Sequence, residues 1–348
     1  MLILIVAFLL TILGVNAIPY RLFSRQENSI YGKNATSYGP QTYGQSTFPA
    51  PSNPAEVSAD QILFQNLLAA EWIVDSMYTS GLAFFTQSDF TSAGYPNNTY
   101  DQLQSVYQNE NGHLKLFERA IDSNVVKPGR CNYSYGFEHI ANKTEAVRVY
   151  MNIVSEVEIG SMAYLTGLAH QAEEVETLYT IMGTISAETR HLTYVNGQVL
   201  NVGDFVGPTD TIYPFPLQLL SVTKQFIVPN SCPAENPPYP SPDQDLPKLS
   251  IDIKKSKIQS KNGSLTLTAD LKDTQSKNDL SVIFFQSVFN YTERATSLGN
   301  NIFQVSIPNL TSDKGNLIVA LSNTSDVTKK EDIVAGPLEI QLGVPFLG

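Results

Sequence analysis

Cysteine is almost absent from this chain of 348 residues: Cys131 and Cys232 are the only two. Two thiolates cannot complete a tetrahedral shell, which excludes a cysteine-ligated metal site. In an oxidising compartment they are a natural pair, and a disulfide closing a loop of about a hundred residues is the expectation. Histidine is nearly as scarce, with four residues at positions 113, 139, 170 and 191. Positive charge is short as well: 22 Lys and Arg against 33 Asp and Glu leave a net charge of −11, which repels phosphate backbones and argues against a nucleic-acid partner. No run after the first seventeen residues is long and apolar enough for the roughly 20 residues of a membrane span. G-x-S-x-G, H-E-x-x-H and P-loop patterns are missing, so a hydrolytic reading has no support.

What the chain does hold is apolar mass, 42% hydrophobic residues against 16% charged, enough for two folded units with accessories. Residues 1–17, MLILIVAFLLTILGVNA, read as a signal peptide whose cleavage site follows Val15-Asn16-Ala17, leaving no span in the mature protein. Eight N-x-S/T sequons begin at Asn34, Asn97, Asn132, Asn142, Asn262, Asn290, Asn309 and Asn323 and point the same way, to a secreted or cell-surface glycoprotein.

Residues 18–57 are rich in Tyr, Ser, Gly, Gln and Pro without periodicity and read as a flexible leader. Four segments then carry apolar residues three and four apart, at about 59–85, 99–123, 144–170 and 173–198. Ser58-x-x-Gln61 and Thr99-x-x-Gln102 look like capping boxes opening the first two. The links are short, long, short, the long one being about 20 residues that include Pro128 and Gly129. Two antiparallel pairs joined by one crossover make a ferritin-like four-helix bundle over 58–200 rather than an up-down-up-down one. Residues 201–247, rich in Pro and aromatics, read as a strap over the bundle and a linker. From 248 to 348 the pattern changes to alternation. Six candidate strands (LSIDIKKSKI, SLTLTADL, LSVIFFQSV, NIFQVSIPNL, GNLIVALS, GPLEIQL) predict an antiparallel β-sandwich, immunoglobulin-like or similar. The fold class is thus multidomain α + β.

Two of the four histidines follow a glutamate by three positions: Glu110-Asn-Gly-His113 and Glu188-Thr-Arg-His191. That spacing puts carboxylate and imidazole on one helical face, a turn apart, so both can reach one ion or two adjacent ions. Both glutamates fall on apolar stripes, and a buried unpaired carboxylate costs several kcal/mol unless a cation or a proton meets it. The dinuclear carboxylate pattern asks for one further glutamate from each of the other two helices. The first helix offers Glu71. The third offers Glu156 and Glu158, about 200° apart, so only one can face inward. Glu158, flanked by Met151, Val154, Met162 and Leu165, has the more apolar stripe, with Glu156 as the alternative. Tyr78, one heptad after Glu71, reads as a core residue, and beside a di-iron pair a tyrosine serves as a hydrogen-bond donor or redox partner. His139 and His170 fall at a loop and a helix end and read as surface residues.

At these residues the chain resembles a family of secreted fungal ferritin-like proteins that includes stress-response and late-sexual-development proteins and is distantly similar to plant desiccation-related proteins. The likeness covers about residues 48–240 and rests on EWIVDSMY, ENGH, EIGSMAYLTG, SAETRH and FIVPNSCPAENPP. It implies a ferritin-like fold with a di-iron-type site at Glu71, Glu110, His113, Glu158, Glu188 and His191. It names no substrate.

Two functions compete. In the first, the protein binds two iron or manganese ions and acts in metal handling or oxidative, stress-related redox chemistry. In the second, it is a non-enzymatic cell-surface or wall protein with a vestigial metal site, whose β-domain binds a cell-wall glycan or a protein.

Overall fold

The computed structural model describes residues 57–201, 211–259, 262–271, 279–287, 289–310 and 312–343. The expected signal peptide, most of the leader and Asn34 lie outside them. The helical part consists of α1 (Ala59–Phe84), a short α2 (Gln87–Ser92), α3 (Thr99–Ala120), α4 (Lys143–Ala169) and α5 (Val175–Tyr194), which runs on into a π-helical turn at Val195–Val199. A further helix, α6 (Pro216–Thr223), follows.

Side-chain to backbone bonds fix the directions of the four long helices. The Gln61 amide donates to Ala120 O at 3.1 Å, and Tyr100 Oη donates to Leu82 O at 3.1 Å. The start of α1 therefore meets the end of α3 and vice versa, an antiparallel pair. Lys143 Nζ donates to Phe84 O at 2.9 Å, so α4 begins at the end of the bundle where α3 also begins. The helices α3 and α4 thus run parallel, and residues 121–142 must travel the length of the bundle. The α4–α5 turn returns to the start of α1, where both oxygens of the Asp60 carboxylate accept the N–H groups of Glu173 and Glu174 at 2.9 Å. That contact caps α5, which has no side-chain cap of its own.

The crossover lies against α1: Gln65 Nε2 donates to Val126 O, Trp72 Nε1 to Pro128 O, and Tyr135 Oη to Ile73 O. It is also covalently held. Cys131 and Cys232 form a disulfide across 101 positions of sequence, beside an antiparallel bridge of Tyr133 with Ile227. A loop of that length is worth about 4–5 kcal/mol in the chain-entropy description.

Two helix starts differ from expectation. Ser58 accepts the N–H of Gln61 at 3.2 Å, but the Gln61 side chain turns away to bind Ala120 and Asp122, so the box is half made. Thr99 is no cap: it is the buried first residue of α3, and Asn98 precedes it without a side-chain hydrogen bond. The strap also holds regular structure, because Pro216 stands at the first helical position of α6, where a missing N–H is no loss.

The β region has eight strands rather than six among the described residues: β1 (Leu249–Ile251), β2 (Ser264–Ala269), β3 (Ser281–Gln286), β4 (Phe289–Arg294), β5 (Thr296–Gly299), β6 (Ile302–Ser306), β7 (Gly315–Ser322) and β8 (Ile333–Leu342). They form two antiparallel sheets, ordered β1-β2-β6-β5 and β4-β3-β7-β8. Both sheets feed one core, with Leu265, Leu267, Phe303 and Val305 from the first and Val282, Phe284, Val319 and Leu321 from the second. Strands β3 and β7 do not alternate; every residue of each is buried. Their second face is covered by the strap: the Tyr213 ring packs edge-on against Phe285 at 5.0 Å, and Gln218 of α6 donates to Lys330 O.

The glycines of EIGSMAYLTG give α4 room for these neighbours. A Cβ at Gly167 would stand 2.5 Å from Tyr213 O, and one at Gly160, seven residues earlier on the same face, 2.7 Å from Glu339 Oε1.

Candidate metal centre

The four long helices bring Glu71, Glu110, His113, Glu158, Glu188 and His191 together in the bundle interior. All six are between 1% and 9% exposed. Position follows from the helical repeat: Glu110 and His113 lie on the buried stripe of α3 with Val106, Leu114 and Phe117, and Glu188 and His191 on that of α5 with Ile181, Thr184 and Leu192. Asn111 and Gly112, poor helix formers, do not interrupt α3. Glu158, 1% exposed, faces the interior, whereas Glu156 is exposed on the outer side of α4.

The six residues fall into two overlapping groups. Glu71, Glu110, His113 and Glu188 can offer one ligand atom each within 4.8 Å of one another, and so can Glu110, Glu158, Glu188 and His191. Glu110 and Glu188 are common to both. Each divides its oxygens between the histidines. Glu110 Oε2 is 3.2 Å from His113 Nδ1 and its Oε1 is 2.7 Å from His191 Nδ1, while Glu188 Oε1 is 3.1 Å from His113 Nδ1 and its Oε2 is 3.5 Å from His191 Nδ1. Glu71 joins only the His113 side, at 3.9 Å, and Glu158 only the His191 side, at 3.3 Å.

Both histidines turn Nδ1 inward. The outward Nε2 of His191 lies 3.2 Å from Asn109 Oδ1, an acceptor that favours a proton on Nε2 and so would leave Nδ1 to face an ion. Behind Glu158, fully buried Tyr78 donates a hydrogen bond to Oε1. The oxygens Glu71 Oε2, Glu110 Oε1 and Glu158 Oε2, and the nitrogen His191 Nδ1, are buried with no hydrogen-bond partner. The 2.7 Å approach of His191 to Glu110 is therefore a contact without hydrogen-bond alignment: both atoms are aimed into a common space.

Without cations, Glu71, Glu158, His113 and His191 are all shifted toward keeping a proton. Burial, with the charges of Glu110, Glu188 and Glu158 adding to it, pushes the Glu71 carboxyl well above the usual carboxylate range, against a smaller pull from His113. Burial likewise raises Glu158, partly offset by His191. For His113 burial opposes the charged form, but hydrogen bonds to Glu110 and Glu188 outweigh it and push the imidazole up to about 11. His191 moves in the same direction under Glu158 and Glu110.

The donor set is compatible with metal binding: four carboxylates bring negative charge that cations would offset, and carboxylate oxygens with two imidazoles are ligands for divalent metals. The orphaned buried atoms are the ones such ions would satisfy.

Residues 59–201 match the profile of the ferritin-like domain. That segment has a ferritin-like fold. The match spans the four long helices and stops before the strap, so it takes in all six buried residues and leaves the sandwich outside. No curated protein matches the chain significantly.

Sequence reasoning did not find Asn109. It is a polar, exposed residue of α3, and only its place beside His191 in the folded bundle gives it a part. His139 and His170 are exposed and stand apart from the cluster.

Proposed function

We propose that this is a secreted, glycosylated protein that binds two iron or manganese ions in its ferritin-like domain and acts in metal handling or oxidative, stress-related redox chemistry. The observation that carries the reading is the pair of four-residue groups sharing Glu110 and Glu188. Glu110 and Glu188 would hold both ions, His113 with Glu71 would complete one sphere, and His191 with Glu158 the other. When bound, such a pair supplies one-electron redox equivalents to dioxygen or peroxide. Tyr78 keeps a proton at Oη against Glu158, fixing that carboxylate's orientation, and Asn109 fixes the tautomer of His191. The apolar packing of Ile73, Met77, Val154 and Leu192 in the bundle core limits access of bulk water.

The address is supported by the disulfide and by the sequons. The asparagines at 97, 132, 142, 262, 290, 309 and 323 are all exposed. Among the described residues no helix is long and apolar enough to cross a membrane.

Elemental analysis of protein purified without chelators tests the reading. About two iron or manganese per chain, lost in Glu110→Ala/Glu188→Ala, supports it. A folded protein that stays empty in metal-supplemented medium would instead favour a scaffold with a glycan- or protein-binding β-domain.

A further inference from the structure

A cavity of about 390 Å³ opens between the outer face of α4, helix α6 and the β1 and β8 strands of the sandwich. Its walls are mostly apolar, with Val74, Val157, Leu220 and Leu249 among them. Polar side chains interrupt them, among them Glu156, Tyr164 and Glu339, with Ser161, Thr223 and Gln225 also in the lining. Glu156 is the residue of α4 that turns away from the carboxylate cluster, and it is accessible at the cavity.

Two of these have buried polar atoms with nothing to bond. Glu339 Oε2 and the hydroxyl of Tyr164, a residue only 4% exposed, are both without a hydrogen-bond partner. Glu339 Oε1 packs close to Gly160, where a Cβ would stand 2.7 Å away. Burial pushes the Glu339 carboxyl well above the usual range, and the nearby Glu156 charge pushes it further. An orphaned carboxylate in apolar surroundings is costly unless a cation or a donor meets it.

The chemistry of the wall selects the ligand. Two carboxyls repel an anion. They also fall short of the four or more ligands a divalent metal requires. A wall of this kind instead complements an organic ammonium whose N–H groups reach the carboxylates while its hydrocarbon part covers the apolar surface. Lys248, also in the lining, is exposed to solvent. We propose that this cavity binds a small primary amine with an apolar body, its ammonium placed between Glu339 and Glu156. The site is separate from the bundle cluster, and the inference does not rest on metal binding there.

Calorimetric titration of the full secreted chain at neutral pH tests this with 2-(1-naphthyl)ethylamine and its uncharged counterpart 2-(1-naphthyl)ethanol. The amine is expected to bind saturably at one per chain and the alcohol at least tenfold more weakly. Glu339→Gln should weaken the amine at least tenfold and leave the alcohol unchanged. Glu156→Gln, at an exposed position, should weaken the amine severalfold with the metal content unaltered. Absence of saturable amine binding, equal affinity for the two probes, or wild-type amine affinity in Glu156→Gln overturns the proposal. None of these results bears on the metal content of the bundle.

Discussion

Glu110 and Glu188 stand on separate helices, α3 and α5, yet each has one carboxylate oxygen beside His113 and the other beside His191. Glu71 and Glu158, by contrast, each serve one histidine. Metal stoichiometry should reflect the difference. Glu71→Ala and Glu158→Ala should each retain about one ion per chain, whereas Glu110→Ala or Glu188→Ala should retain close to none. Elemental analysis of the four variants side by side checks this, and loss of both ions in all four would show that the two positions do not fill separately.

Asn109 offers a finer test, since it touches only the outward nitrogen of His191. Removing such an outer partner lowers metal affinity about 10–100-fold in comparable sites. Asn109→Ala should therefore weaken one of the two binding steps in a chelator competition titration, and Asn109→Asp, which keeps the acceptor, should restore it. Unchanged affinity in Asn109→Ala would remove the residue from any part in the site.

The metal-free protein should lose stability as pH rises. His113 binds its proton more tightly folded than unfolded, with a pKa pushed from 6.5 to about 11. Its contribution is fully present below about pH 6.5 and is lost as pH climbs toward 11. Glu71 and Glu158, also raised, act in the same sense beginning nearer 4.5. Divalent ions replace those protons, so the stabilisation they give should grow with pH. At a thousandfold excess over Kd it amounts to about 4 kcal/mol, a rise in Tm on the order of 10 °C. Melting curves at pH 6 and 8, with and without iron(II) or manganese(II), would reveal it; a metal-induced shift equal at both pH values would contradict the exchange.

Two glycines should respond in opposite directions to the same added methyl. Gly112 lies in the middle of α3 with nothing within 4 Å of its would-be Cβ, so Gly112→Ala should stabilise by about 0.5–1 kcal/mol. Gly167 faces the backbone oxygen of Tyr213 at 2.5 Å, and Gly167→Ala should destabilise by about 1–3 kcal/mol. Denaturant midpoints at unchanged m-value measure both.

The four long helices and their crossover were legible because each keeps one buried stripe at helical spacing, and because glutamate three residues before histidine marks a face directly. Glu158 could be favoured over Glu156 only by the apolarity of its stripe; the packing of α4 makes the difference explicit. Helix α6 was hidden by proline, whose place at the first helical position composition does not reveal. Strands β4 and β5 were missed for the opposite reason to β3 and β7. The first two are largely exposed on both sides and the second two are buried on both, so neither pair alternates. The role of Asn109 depends on a contact across 82 positions of sequence, which no local pattern encodes.

The double burial of β3 and β7 also sets a limit on how this molecule can be divided. Cut free of the segment that carries Tyr213 and Gln218, the sandwich would present Ile283, Phe285 and Ile318 to water as an adhesive surface. The C-terminal third therefore depends on its upstream neighbour for solubility, and truncation libraries should yield soluble fragments only when the strap is kept.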